Sequence, residues 1–155
     1  PEGTKSKLKR LFGDWHQPIP ELIENTEKIL KNSLSDRVPH KGWTKGNITL
    51  IGDAAHPTTP NLGQGGCMAI EGAYLLAQCV NKYGLSPKEY ALYEKHQFPR
   101  SKEIVNESLT LGKIGQISNP ILIALRNFLF KITPSSVAMK MIAKYFSYRV
   151  TELKI

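Results

Sequence analysis

The residues best placed to do chemistry lie between Gly46 and Val80, in the run GNITLIGDAAHPTTPNLGQGGCMAIEGAYLLAQCV. Asp53 offers a carboxylate that can accept hydrogen bonds from ligand hydroxyls. Around it, Gly52, Gly63, Gly65 and Gly66, with Pro57 and Pro60, make a loop from which side chains are largely missing. Where such a loop enters a helix, the first-turn amides are unpaired and carry partial positive charge, so the place receives an anion or a polar carbonyl edge. The competing reading is a glycine-rich structural turn with Asp53 as a loop or capping residue. His56 invites a catalytic or metal role, but His16, His40 and His96 are scattered, with no second ligand at helical or finger spacing. It reads as a histidine that orders the loop.

The elements flanking the loop are legible from periodicity. Asn47 to Ile51 is β-branched and apolar and is closed by Gly52, which predicts a buried strand ending at a tight turn. From about Gly66 to Val80 there is no proline, and Ala69, Ala73, Leu76, Ala77 and Val80 recur at helical spacing. That predicts a helix whose alanines admit close approach of another backbone. The unit is strand, loop, helix.

A lone GxGG would favour the structural turn. The longer string G-D-A-A-H-x-x-x-P-x-x-G-Q-G-G, from Gly52 to Gly66, resembles the second FAD-binding motif, the "GD" motif, of the single-component aromatic-ring flavoprotein monooxygenases. This is the group of para-hydroxybenzoate hydroxylase, zeaxanthin epoxidase and FAD-dependent urate hydroxylase. The resemblance is strong from Trp43 to Ala77 and looser on either side. It implies that Asp53 binds the ribityl chain of FAD and that Pro60 lies against the isoalloxazine ring near the substrate. The amides around Gly65, Gly66 and Cys67 would face the N1/O2 edge of the flavin, with Gly52 and Gly63 in the same cofactor-binding set. A helix N-terminus there suits the negative charge of reduced flavin. The chain departs from the family at Gly72, where many relatives have Asp. Further upstream, Ser35-Asp36-Arg37-x-Pro39 followed by Trp43 resembles the family's passage from the substrate domain into the GD strand; a surface ion pair in a loop is the equal alternative for Asp36 and Arg37.

The expected fold is α/β: the C-terminal part of a Rossmann-like FAD-binding domain, strand, loop and helix plus C-terminal helices, with the tail end of a substrate domain. Residues 1–42 would end the substrate domain and return to the FAD domain, 43–84 would form the GD unit, and 85–155 the C-terminal helices. A buried parallel strand needs neighbours on both sides and helices on its faces. The 155 residues supply one central strand, a weaker second one at most, and no G-x-G-x-x-G pyrophosphate turn. The chain therefore reads as the C-terminal portion of a longer enzyme, whose N-terminal remainder would be its partner.

Elsewhere, Leu8, Leu11, Phe12 and Trp15 share one face of a helix over Ser6 to Trp15, and a short helix follows Pro18. Ser86-Pro87-Lys88-Glu89 has capping-box spacing with proline at the first helical position. It predicts a long helix turning Tyr90, Tyr93, Phe98, Ile104 and Leu111 inward, with Pro99 kinking or interrupting it. Asn119-Pro120 and Thr133-Pro134 repeat the cap-then-proline signal, predicting helices over Pro120 to Ile132 and Pro134 to Tyr148. The tyrosines and Trp43 read as core. Cys67 and Cys79, twelve residues apart on one helix, would have Cα atoms about 18 Å apart, beyond disulfide reach. Free thiols fit a reducing, cytoplasmic compartment.

Net charge is +8, and from Lys113 onward seven Lys or Arg face the single acid Glu152. No RNA-binding signature or zinc finger accompanies it, so nucleic acid is not expected. A solvated basic face is the first reading, with peripheral membrane contact left open. Arg126 and Asn127 interrupt the most apolar segment, so no run reaches the ~18 residues of a span.

Hydrolase, zinc-protease and NTPase readings have no G-x-S-x-G, H-E-x-x-H or P-loop to stand on. The resemblance implies a monooxygenase in which NAD(P)H reduces FAD, oxygen adds at C4a, and the hydroperoxide passes one oxygen to an aromatic or olefinic carbon of a small-molecule substrate. No catalytic side chain and no metal ligand is assigned. Two alternatives stand beside it: an FAD-dependent dehydrogenase or oxidase without oxygen transfer, and a basic helical binding module.

Overall fold

The computed structural model describes residues 3–153 and 155 and falls into two compact units, Pro1–Leu34 and Ser35–Ile155. In the first, helix α1 (Thr4–Phe12) packs on α2 (Ile19–Asn25). Lys9 pairs with Glu24, and the Phe12 and Trp15 rings meet edge to face at 5.0 Å. Helix α1 is shorter than its apolar stripe: it ends at Phe12, with Gly13 as its cap and Trp15 in the following turn.

The second unit is built on two long helices. Helix α3 (Gly65–Tyr83) lies along α4 (Pro87–Gly115), and α5 (Pro120–Ile132) and α6 (Ser135–Phe146) follow. Proline at the first turn opens α4 and α5, where its missing N–H costs nothing. Asn119 caps α5 by accepting from the Ile121 and Leu122 amides at 3.0 and 3.2 Å. Ser86 caps α4 differently from a standard box: its hydroxyl bonds the Glu89 carboxylate, and no backbone amide. Helix α4 runs through Pro99 unbroken, against the expected interruption. Thr133 serves α5 rather than α6, its hydroxyl donating to the Leu129 carbonyl at 2.7 Å.

The core joins Trp43, Ala55, Leu75, Cys79 and Tyr93. Trp43 and Tyr93 are core, as expected, whereas Tyr74 and Tyr83 are exposed. Along α4, Tyr93 and Ile104 point inward and Leu111 does not. Two expectations are corrected here. The buried face of α3 is Met68, Gly72, Leu75 and Cys79, one position off the alanine stripe, and Ala73 and Ala77 are exposed. The central strand over Asn47–Ile51 is not formed. In its place β1 (Thr44–Lys45) and β2 (Ile48–Thr49) make a two-residue antiparallel hairpin, Thr44 opposite Thr49 and Lys45 opposite Ile48. Its turn uses Gly46 at φ +55°, where glycine has no steric penalty. With β1 as the only neighbouring strand among the described residues, Ile48 is 69% and Ile51 44% exposed.

Candidate functional site

The loop from Gly52 to Cys67 is held at several points by residues far away in sequence. It begins with a 3₁₀ turn, Gly52–Ala54, entered through Gly52 at φ +55°. A Cβ at Gly52 would stand 3.6 Å from the Ala69 methyl, so the turn lies directly on α3. Arg37 fastens it, donating from Nη2 to the carbonyls of Ala54 at 2.8 Å and Ala55 at 3.2 Å. Arg37 thus bonds the backbone of this loop, and no ion pair between it and Asp36 forms among the described residues. Asp53 is exposed, and its carboxylate has no hydrogen-bond partner among the described residues.

The middle of the loop is clamped to α4. Ser108 donates to the Thr59 carbonyl at 2.6 Å and shares a hydroxyl contact with Thr59 at 3.0 Å. Asn61 Nδ2 donates to the Ser108 carbonyl at 2.9 Å. These bonds fix a second 3₁₀ turn, Pro60–Leu62, with Pro60 exposed at its start. Gly63 then takes φ +64°, a left-handed conformation that turns the chain into α3. Gly65 is constrained by space: a Cβ there would stand 3.2 Å from Thr58 Cγ2. The spaces beside Gly63 and Gly66 are open.

At the start of α3 the cap residue Gln64 makes no side-chain cap bond. The amides of Gly65, Gly66 and Cys67, as first-turn donors, have no intrahelical acceptor, and Gly66 and Cys67 are exposed. Cys67 and Cys79 are both free thiols, Cys67 exposed and Cys79 buried. Burial pushes the Cys79 thiol above its ordinary value.

His56 lies in the core beside Trp43, ring centroids 5.7 Å apart, and neither of its nitrogens has a hydrogen-bond partner among the described residues. Burial is the main influence on it and lowers its pKa, against smaller opposite effects of Asp53 and Glu71. Burial therefore favours the neutral ring. The fit at Gly72 is equally close: a Cβ there would stand 3.3 Å from the Tyr93 hydroxyl and 3.4 Å from Gln97 Nε2. Packing accounts for the glycine.

Two supporting residues escaped the sequence reading. Glu94 accepts from the amides of Gly42, Trp43 and Thr44 at 2.6, 2.9 and 3.3 Å, hanging the hairpin on α4. Arg100 is buried on α4 and donates to Glu71, to Gln64 Oε1 at 3.4 Å and to the Tyr145 carbonyl at 2.9 Å, with its guanidinium 4.4 Å from the Tyr148 ring centre. Neither belongs to a motif.

The site is thus one braced loop that carries an unpartnered carboxylate and a left-handed glycine and ends in the first turn of a long helix. Residues 20–105 match the family described as FAD binding domain. Over 134 residues the chain is 40% identical to the aurachin C monooxygenase/isomerase of Stigmatella aurantiaca, covering 85% of this chain and 35% of that protein. It is 36% identical over 105 residues to the 6-hydroxynicotinate 3-monooxygenase of Pseudomonas fluorescens, 66% and 27% of the two chains. Against the chloroplastic zeaxanthin epoxidase of Solanum lycopersicum the identity is 46% over 84 residues, 53% and 13% of the two chains. The solved structure of Klebsiella pneumoniae HpxO complexed with FAD and uric acid matches with a TM-score of 0.80 at 25% identity, over 95% of this chain and 40% of that one.

The chain belongs to the FAD binding domain family, and the curated relatives it matches are named monooxygenases and an epoxidase, which are oxidoreductases. This is the family the Gly52–Gly66 motif resembles. The chain spans about a third of the length of the first of these relatives.

Proposed function

We propose that this chain is part of a monooxygenase that uses FAD, NAD(P)H and molecular oxygen to hydroxylate or epoxidise an aromatic or olefinic small molecule. The observation that carries the reading is the pairing, in one braced loop, of an unpartnered Asp53 carboxylate with the open amides of Gly65, Gly66 and Cys67. Those groups suit the two ends of a flavin headgroup. The carboxylate is an acceptor for a polyol chain, and the amides are donors for a carbonyl edge that becomes negative on reduction. Open space beside Gly63 and Gly66 leaves room for close approach of a planar ring.

In this reading Asp53 binds and orients the ribityl hydroxyls. The first turn of α3 stabilises charge at the ring edge, and Pro60 presents a surface without an N–H donor. Gly52 sets the angle of the Asp53 turn, and Gly63 that of the helix entry. Bound FAD, reduced by NAD(P)H, supplies the activation of oxygen; the residues of this chain bind, orient and exclude water. The exposed Ile48, Leu50 and Ile51 support a Rossmann-like arrangement in which the hairpin region is completed by strands of the N-terminal remainder. The free thiols support a reducing, cytoplasmic setting.

The test is NAD(P)H oxidation by the full-length enzyme under labelled oxygen, with candidate aromatic and olefinic substrates. One labelled oxygen atom in the product is expected. Substrate-dependent turnover with unlabelled product would instead make the enzyme a dehydrogenase or oxidase.

A further inference from the structure

We propose that α5 and α6 form an interfacial anchor that lays the enzyme on an anionic lipid surface. Helix α5 buries no residue. Ile121, Leu125, Phe128, Leu129 and Ile132 recur along one stripe of it, and all are between 49% and 78% exposed. On α6, Met139, Ile142 and Phe146 are likewise exposed. Large apolar side chains exposed along a helix stripe of this kind mark an interaction site rather than a solvated face.

Geometry and charge select the occupant. Thirteen residues of α5 reach about 20 Å at 1.5 Å per residue, short of the ~30 Å hydrocarbon core. Among the described residues no single helix is long and apolar enough to cross a membrane, and α5 and α6 meet at a 98° bend. Together the two helices have the length and composition of a broken span, but the bend keeps them from crossing as a single rod, and a bent pair suits lying along a surface. The charge is one-sided as well: six of the eight net positive charges lie from Lys113 onward. Arg126 is engaged by the Ile114 and Gly115 carbonyls, and Lys144 by Glu103 and Glu107. Lys131 and Lys140 are exposed and form no ion pair among the described residues. Apolar side chains with free lysines beside them are the composition of a helix that sinks to the acyl boundary while its cations meet anionic headgroups.

The test uses the full-length holoenzyme and flotation with phosphatidylcholine vesicles, with and without phosphatidylglycerol, at low and high salt. Flotation on the anionic vesicles alone, lost at high salt, is expected. Leu125→Asp with Phe128→Asp should abolish it. Lys131→Gln with Lys140→Gln should weaken it roughly 25-fold, at ~1 kcal/mol per lysine and 1.4 kcal/mol per decade. Both variants should keep wild-type flavin content and melting temperature. No flotation, or equal flotation on both vesicle types, would overturn the proposal. So would loss of flavin or stability in the Asp variant, which would place the stripe against the enzyme's own N-terminal part, or a change in its oligomeric mass, which would assign it to a second copy. The readout is vesicle binding, so it stands apart from the oxygen-transfer test.

Discussion

Arg100 and Glu71, 29 residues apart, face each other as a fork: Nε to Oε2 and Nη2 to Oε1, each at 3.3 Å, with the two side chains 6% and 14% exposed. The guanidinium also reaches Gln64, the residue that opens α3, and the Tyr145 carbonyl in the last turn of α6. One cation on α4 therefore braces the entrance of the glycine loop from behind.

Removing that cation strands the Glu71 carboxylate in a mostly buried place. Breaking a buried pair from one side costs roughly 3–5 kcal/mol, so Arg100→Met should lower the unfolding free energy by about that much, seen in denaturant or thermal melts. Arg100→Lys should recover only part of the loss, because an ammonium cannot make the fork. A change in Arg100→Met below about 1 kcal/mol would show that the fork contributes little.

Asp53 is the opposite case, an exposed carboxylate with no hydrogen bond to lose in the chain itself. Asp53→Ala should leave the melting temperature of the apo enzyme unchanged. It should weaken FAD by about one to two decades, since a hydrogen bond to a charged group contributes roughly 1.5–3 kcal/mol and 1.4 kcal/mol is a decade. Equilibrium dialysis decides it, and unchanged affinity would remove Asp53 from the cofactor site.

Gly63 and Gly66 separate backbone from ligand. Gly63 holds φ +64° with free space around it, so Gly63→Ala carries a conformational cost of order 1–3 kcal/mol. Gly66 has no such backbone constraint and nothing within 4 Å of an added Cβ. Gly66→Ala should leave stability intact and lower flavin retention, because the methyl group enters the open face. Melting curves and flavin content of the two purified variants form the comparison; Gly66→Ala with full flavin content would argue against close approach there.

The buried, unpartnered His56 predicts a pH dependence of stability. Its pKa in the fold lies below the ordinary 6.5, chiefly through burial. The unfolded chain therefore takes up a proton first as pH falls. This residue adds no pH dependence well above 6.5, and stability drops as pH falls from about 6.5 towards the lowered value. Melts between neutral and mildly acid pH should show that slope in the wild type and a smaller one in His56→Phe. Equal slopes would place the effect elsewhere.

Much of the site could be read without coordinates, because its signals are local. Glycine where φ is positive, as at Gly52 and Gly63, proline at the first turn of α4 and α5, and the Asn119 cap each act within a few residues. The string from Gly52 to Gly66 carries its family for the same reason. What tertiary structure decided was everything that depends on which element lies alongside. Helix α3 is apolar on two adjacent stripes, and only the position of α4 selects Met68, Gly72, Leu75 and Cys79 as the buried one. Arg100 and Glu94 look like ordinary surface charges of a long helix until the Gln64 turn and the Trp43 hairpin are laid against them. The β-branched run from Asn47 to Ile51 has the composition of a central strand, but a strand acquires its hydrogen bonds and its burial from neighbours, and here it has one two-residue partner.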